Sequence, residues 1–193
     1  MEARKAIIGI VRFSYAHVFE PWAAEEGKTL QYSVTLLIPK TDTKNLQIIK
    51  AAIQAAYEES VGTKWGNKRP AKWFNPLQDG DEPKSDGESR GDAYKGCYYL
   101  NAKSLSRPGV VDASRQPIVN SEDFYSGCYG YASVAFGGFS NSGKMGISCY
   151  LNNVMKVKDG EPLGAGKTSA EDDFANVELP FEASSNSMGG LEF

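Results

Sequence analysis

The 193-residue chain has a single histidine, His17, and only three cysteines, Cys97, Cys128 and Cys149, with no C-x-x-C pair among them. A tetrahedral zinc site needs four nitrogen or sulfur ligands, so a standard one cannot easily be assembled, and neither metal nor cofactor is expected. Odd in number and far apart, the cysteines read as small buried strand residues. No apolar run approaches the roughly 18 residues of a membrane span, and Met1–Lys5 leads into no signal-peptide core. The expected setting is therefore the cytoplasm, away from membranes. G-x-S-x-G and P-loop patterns are missing, and no cysteine lies near the histidine, so nothing argues for an enzyme.

One segment lacks charge of one sign. Residues 168–193 hold six carboxylates (Glu171, Asp172, Asp173, Glu178, Glu182, Glu192) and no basic residue, interleaved with Phe174, Phe181 and Phe193. The whole chain is formally −3, yet residues 1–167 carry all 21 Lys and Arg against 18 acids. A mildly basic body (1–167) with an acidic, disordered tail (168–193) suggests that the body binds a polyanion. The tail would then compete for that surface or dock partner proteins.

The whole chain has 41% apolar residues, 20 glycines and 22 aromatics, but only one long helical pattern. That pattern spans about 44–60, capped by Thr41–Thr43, with Leu46, Ile49, Ile53 and Ala56/Tyr57 as its apolar stripe and Gly62 as its stop. Strands are read at Ile7–Phe13, Leu30–Ile38, Cys97–Lys103, around Val110–Val111 and Ile118–Val119, and along a hairpin from Cys128 to Lys158. Residues 61–95 break the periodicity with Pro70, Pro76 and Pro83 and read as a loop-rich insertion. The fold class expected is mainly β: a small curved barrel of the OB type with one helix.

Alternation gives that barrel a wet face. Tyr99, Asn101 and Lys103 point away from Tyr98, Leu100 and Ala102, and Tyr129 and Tyr131 point away from the hairpin core. On the return strand Ile147, Cys149, Leu151, Met155 and Val157 are expected inside, with Tyr150, Asn152, Lys156 and Lys158 outside. Tyrosines beside Lys and Asn suit single-stranded nucleic acid, because each base offers a face to stack on and lysines follow the phosphates. The competing reading is ordinary cross-strand pairing or a second apolar layer.

A second cluster, Lys64-Trp65-Gly66-Asn67-Lys68-Arg69-Pro70-Ala71-Lys72-Trp73-Phe74, contains four cations and three large aromatics without an acid. It reads as a mobile clamp in which Trp65 or Trp73 stacks and Lys64, Lys68, Arg69 and Lys72 neutralise phosphate; alternatively the tryptophans pin the loop to the barrel. Tyr15, His17, Phe19 and Trp22 form either an aromatic lip or an apolar plug. Arg107 and Arg115 flank a turn as further phosphate contacts. The carboxylates between Asp79 and Asp92 invite a metal-dependent nuclease reading, but they sit among Pro, Gly and Ser, and Pro83 breaks the EF-hand spacing.

Several segments in order, VRFSYA at Val11–Ala16, YSVTLLIPK at Tyr32–Lys40, PLQDGD at Pro76–Asp81, RPGVVD at Arg107–Asp112, FYSGCY at Phe124–Tyr129 and DGEPLG at Asp159–Gly164, resemble a family of bacteriophage single-stranded-DNA-binding proteins with an OB fold. The resemblance runs from about Lys5 to Phe174. It implies sequence-independent binding of single-stranded DNA in phage replication or recombination, without catalysis, in the infected host's cytoplasm. RNA or duplex DNA would bind more weakly. It also leaves Asp79–Asp81 a role in shaping the insertion. The tail resembles the acidic, Phe-ending tips of replication proteins that bind single strands. Both Glu178–Phe181 and Leu191–Phe193 qualify as docking elements for phage or host replication proteins. The alternatives are the nuclease above or a virion or scaffold β-protein without a nucleic-acid role.

Overall fold

The computed structural model describes residues 2–23 and 25–164. Seven strands run in chain order: β1 (Lys5–Trp22), β2 (Gln31–Pro39), β3 (Gln78–Asp79), β4 (Cys97–Ser104), β5 (Gly109–Val111), β6 (Tyr129–Asn141) and β7 (Lys144–Lys158). One helix, α1 (Thr43–Thr63), joins β2 to the insertion. The sheet closes on itself in the order β1-β2-β4-β7-β6-β1, a five-stranded barrel of OB type. All barrel pairings are antiparallel except β4 with β7, which meet over two positions, Ala102 with Cys149 and Lys103 with Tyr150. β3 occupies the same edge of β4 further along, and β5 extends the edge of β7 in parallel.

Closure depends on irregularity in β1. The strand pairs β6 from Lys5 to Arg12 and β2 from Arg12 to Trp22, with a register shift between Ile8 and Val11. The inward set consequently changes from Ala6 and Ile8 to Val11 and Phe13, and Ile7 and Ile10 are left outside. The barrel interior is otherwise filled by the regular alternation of the other strands: Val34, Leu36 and Ile38; Leu100 and Ala102; Ala132, Val134 and Phe136; Ile147, Cys149 and Leu151. Each large side chain removed from water here contributes about 1.5–3 kcal/mol.

A second irregularity corrects the reading of β7. Ser133 pairs Asn153 whereas Val134 pairs Leu151, so the ladder slips at Asn152–Asn153. Beyond it Val154 is buried, Met155 is half-buried and Val157 is exposed, which reverses the expected inward placement of Met155 and Val157. A period of two cannot survive an extra residue in one strand. The β6–β7 turn is Ser142–Gly143, both in the left-handed region (φ 47° and 78°), as a tight two-residue hairpin loop requires.

Helix α1 begins where Asp42 accepts a hydrogen bond from the Asn45 amide and runs through Gly62 to Thr63, where Lys64 and Trp65 both donate to Ser60 O. Leu46, Ile49, Ala52, Ile53 and Ala56 face the barrel, chiefly β6. The insertion is anchored at several points. Phe74 forms a bridge with Gly146, its amide donating to Met145 O and its carbonyl accepting from the Ile147 amide. Lys40 Nζ lies 2.7 Å from a carboxylate oxygen of both Asp79 and Asp81. Asp81 also accepts from the Gly96 amide. Gly80 is required between them, since a Cβ there would run into the carbonyl oxygens of Tyr94 and Cys97.

Candidate nucleic-acid interface

The outer face of β1, β2, β4 and β7 carries the groove. Register aligns the outward residues in rows that cross the strands. Ser14 pairs Thr35, which pairs Asn101; His17 pairs Ser33, which pairs Lys103, which pairs Tyr150. Two hollows of about 290 and 520 Å³ share Asn101 and Lys103 and make this floor continuous. Tyr15, Trp22, Tyr94 and Arg90 rim one end, and Phe74, Leu105, Tyr150 and Asn152 the other. Among the described residues neither hollow is lined by an Asp or Glu, while Lys84, Arg90 and Lys103 contribute cations. A trough with amides, hydroxyls, aromatic rings and positive charge, and without carboxylates, suits a polyanion carrying flat rings.

His17 stacks on Trp22 at 4.9 Å between centroids with the planes 8° apart. Burial holds its pKa below the ordinary histidine value, so the imidazole is neutral near pH 7. Tyr15 presents its exposed ring into the groove from a left-handed backbone (φ 45°), at the register shift between Ser14 and His17. Side chains seldom accept that conformation, and strain of this kind collects at binding sites. Tyr150 is 44% exposed, consistent with a ring able to take a base.

Other expected site residues are placed differently. Tyr99 is on the outward face but only 6% exposed, because Tyr94 packs edge-on against it at 5.4 Å and the Arg90 guanidinium lies 4.9 Å above its ring. Its face is covered by the insertion, which strand alternation alone cannot foresee. Trp65 is a core residue, 3% exposed, with Nε1 donating to Phe139 O at 3.0 Å and its ring edge-on to Tyr57. Trp73 packs half-buried on the same tyrosine. Lys64 donates to Gly138 O and Arg69 grips Glu58 through two nitrogens. The Lys64–Trp73 segment is therefore bound to α1 and β6 rather than held as a clamp over the groove; Lys68 and Lys72 remain exposed.

Tyr129, Tyr131, Lys156 and Lys158 sit on the β6–β7 wall and do not line the two hollows. Tyr129 lies between Arg12 (5.6 Å) and Lys158 (5.1 Å). Lys156 is engaged by Asp159 and by Asp123 O. Arg107 covers Phe19, and Arg115 is exposed at a left-handed turn position. The tail residues Glu171, Asp172, Asp173, Phe174, Glu178, Phe181, Glu192 and Phe193 lie outside the described residues.

Phe74, Arg90 and Tyr94 were not legible as groove residues. They come from the aperiodic insertion, and only its pairing with β4 and β7 brings them here. Three carboxylates of the nuclease alternative, Asp79, Asp81 and Asp92, are engaged by lysines. Lys40 binds Asp79 and Asp81, which draws both carboxyls below their usual range and lifts the lysine well above its own. Asp92 pairs with Lys95.

Comparison with known proteins agrees with this geometry. A protein designated p50 from Acyrthosiphon pisum secondary endosymbiont phage 1 is 34% identical over 182 residues, covering 89% of this chain and 93% of the relative. The single-stranded DNA-binding protein of bacteriophage Enc34, solved in complex with ssDNA, superimposes with a TM-score of 0.71 at 28% identity, covering 83% of this chain and 90% of that one. Bacteriophage T7 gp2.5, a single-stranded DNA-binding protein, shares the fold at a TM-score of 0.59 and 15% identity over 87% of this chain and 99% of its own. Residues 4–184 match the family described as the ssDNA-binding protein of Enterobacter phage Enc34, and the chain belongs to that family of phage single-stranded-DNA-binding proteins.

Proposed function

We propose that this chain binds single-stranded DNA along the groove over β1, β2, β4 and β7, without strong sequence preference and without catalysis. The observation that carries the reading is the carboxylate-free row His17–Ser33–Lys103–Tyr150. Bases stack on Tyr150, Tyr15, Trp22 or Phe74, and phosphates follow Lys103, Arg90 and Lys84. The setting is phage replication or recombination in the infected cell, with the acidic tail modulating binding and docking replication proteins. Membership of a family of ssDNA-binding proteins supports the ligand, and Gly164 supports the tail's part. This last described residue lines a hollow with Tyr15, Arg90 and Tyr94, which also line the groove.

Titration of oligo-dT, duplex DNA and RNA by mobility shift and tryptophan fluorescence tests the reading. Tightest binding to oligo-dT is expected, with a log-log salt slope of about −0.7 per phosphate neutralised. Equal affinity for duplex, or none for oligo-dT at low salt, would overturn it. Incubation of both substrates with Mg²⁺ or Mn²⁺ is expected to leave them intact.

A further inference from the structure

The centre of the groove floor has a polarity. Asn101 stands directly opposite Thr35 in the β2–β4 pair, and the Thr35 hydroxyl donates to Asn101 Oδ1 at 2.8 Å. Thr35 is itself buried. A hydroxyl has one proton to give. That of Thr35 is committed to Asn101, which holds the amide in one orientation.

An asparagine amide has one acceptor end and one donor end. Holding Oδ1 down on Thr35 turns the Nδ2 hydrogens outward, into an exposed position without a partner among the described residues. Lys103, two residues on along the same face, adds a second donor with no acceptor capacity, and neither hollow contributes a carboxylate.

Resting on the proposed binding of single-stranded DNA here, we infer that Asn101, held by Thr35, donates a hydrogen bond to a carbonyl oxygen of a stacked base. The groove therefore favours a base with an acceptor on that edge, as thymine has in its two carbonyls, over a base of the same shape without one. This bias is superimposed on stacking, which tolerates every base. Asn101 is the contacting residue and Thr35 the positioning one.

Comparing oligo-dT with oligo-dA does not test this, because adenines also stack on one another in the free strand. The probe is an oligo-dT in which alternate thymines are replaced by 2,4-difluorotoluene, which keeps thymine's shape and loses its carbonyl acceptors. The full-length wild-type protein is expected to bind oligo-dT about two- to tenfold more tightly than the substituted strand, the range for one net hydrogen bond. Asn101→Leu, at an exposed site, and Thr35→Val, which is close to isosteric, should bring the ratio near one, with circular dichroism and melting checked for each. The ratio isolates recognition, since a merely structural effect weakens both strands alike. A wild-type ratio near one, or one unchanged in both variants, overturns the inference while leaving strand binding intact. Failure to bind either strand at low salt removes the reading on which it rests as well.

Discussion

Lys103 of β4 and Tyr150 of β7 face outward side by side in the short parallel pair that closes the barrel. Their adjacency is a product of closure, because 46 positions of chain separate the two residues and only the β4–β7 contact brings them together. Tyr150→Ala should weaken oligo-dT binding by about 1–3 kcal/mol, the contribution of one stacked base, without changing the fold. Lys103→Ala should weaken it and reduce the salt slope by about 0.7. Fluorescence anisotropy at several salt concentrations reads both effects. Wild-type affinity in Tyr150→Ala would place the stacking elsewhere.

Trp65→Ala should behave in the opposite way. Its ring is buried and its indole N–H is satisfied by Phe139 O, so the variant leaves a cavity and an orphaned carbonyl. A loss of about 3–5 kcal/mol is expected from chemical denaturation. Binding by the fraction still folded should be close to wild type. A stable variant with impaired binding would restore Trp65 to the interface.

What could be read in the sequence follows from where periodicity holds. β2, β4 and β6 alternate cleanly over the stretches that build the core, so Val34, Leu36, Leu100, Ala132 and Phe136 declare themselves. Bulges hide the rest: at Gly9–Ile10 and Asn152–Asn153 one extra residue reverses the faces. The segments that carry the family resemblance proved to be joints more than groove. Arg12 of VRFSYA donates to Gly127 O of FYSGCY and to Glu161 O of DGEPLG. Lys40 of YSVTLLIPK joins Asp79 and Asp81 of PLQDGD. Such contacts fix the frame, whereas Tyr150, Phe74 and Arg90 acquire their place along the groove only from the closed barrel.

The Lys40 joint gives a pH prediction. Both aspartates have depressed pKa values in the folded chain, first because of the hydrogen bond from Lys40. Their stabilisation is therefore complete above the unfolded carboxylate value, about 4, and is lost as pH falls through the lower folded values. Asp79→Asn should lower the melting temperature at pH 7 and lessen the fall between about pH 5 and pH 3. An identical melting curve at pH 7 would show the joint to be dispensable.

His17 makes binding depend on pH with the opposite sign. Burial lowers its pKa in the free protein, so at neutral pH it enters the groove uncharged. The groups facing that hollow are Tyr15 and Trp22 of β1, Tyr99 and Lys103 of β4, and Lys84, Arg90 and Tyr94 of the insertion; none is a carboxylate. A phosphate bound beside it would favour the imidazolium, so binding takes up a proton. Affinity for oligo-dT should rise as pH falls from about 7.5 to 5.5, across the histidine range. His17→Gln should flatten that rise; an equal slope in the variant would assign the proton elsewhere.

The tail supplies the remaining prediction. Residues 168–193 carry six carboxylates and no base, and Gly164 adjoins the groove through Tyr15, Arg90 and Tyr94. Under the proposed function a segment so charged would compete with phosphates for Lys84, Arg90 and Lys103. Deleting residues 168–193 should raise affinity for oligo-dT at low salt. The gap should close as salt rises, because the screening length falls to about 10 Å at 0.1 M. Unchanged affinity at low salt would remove the competition. Truncation after Phe181 then separates the two docking candidates. If that shortened chain still captures a replication partner, Glu178–Phe181 is the docking element; if capture is lost while the affinity for DNA is little altered, Leu191–Phe193 is.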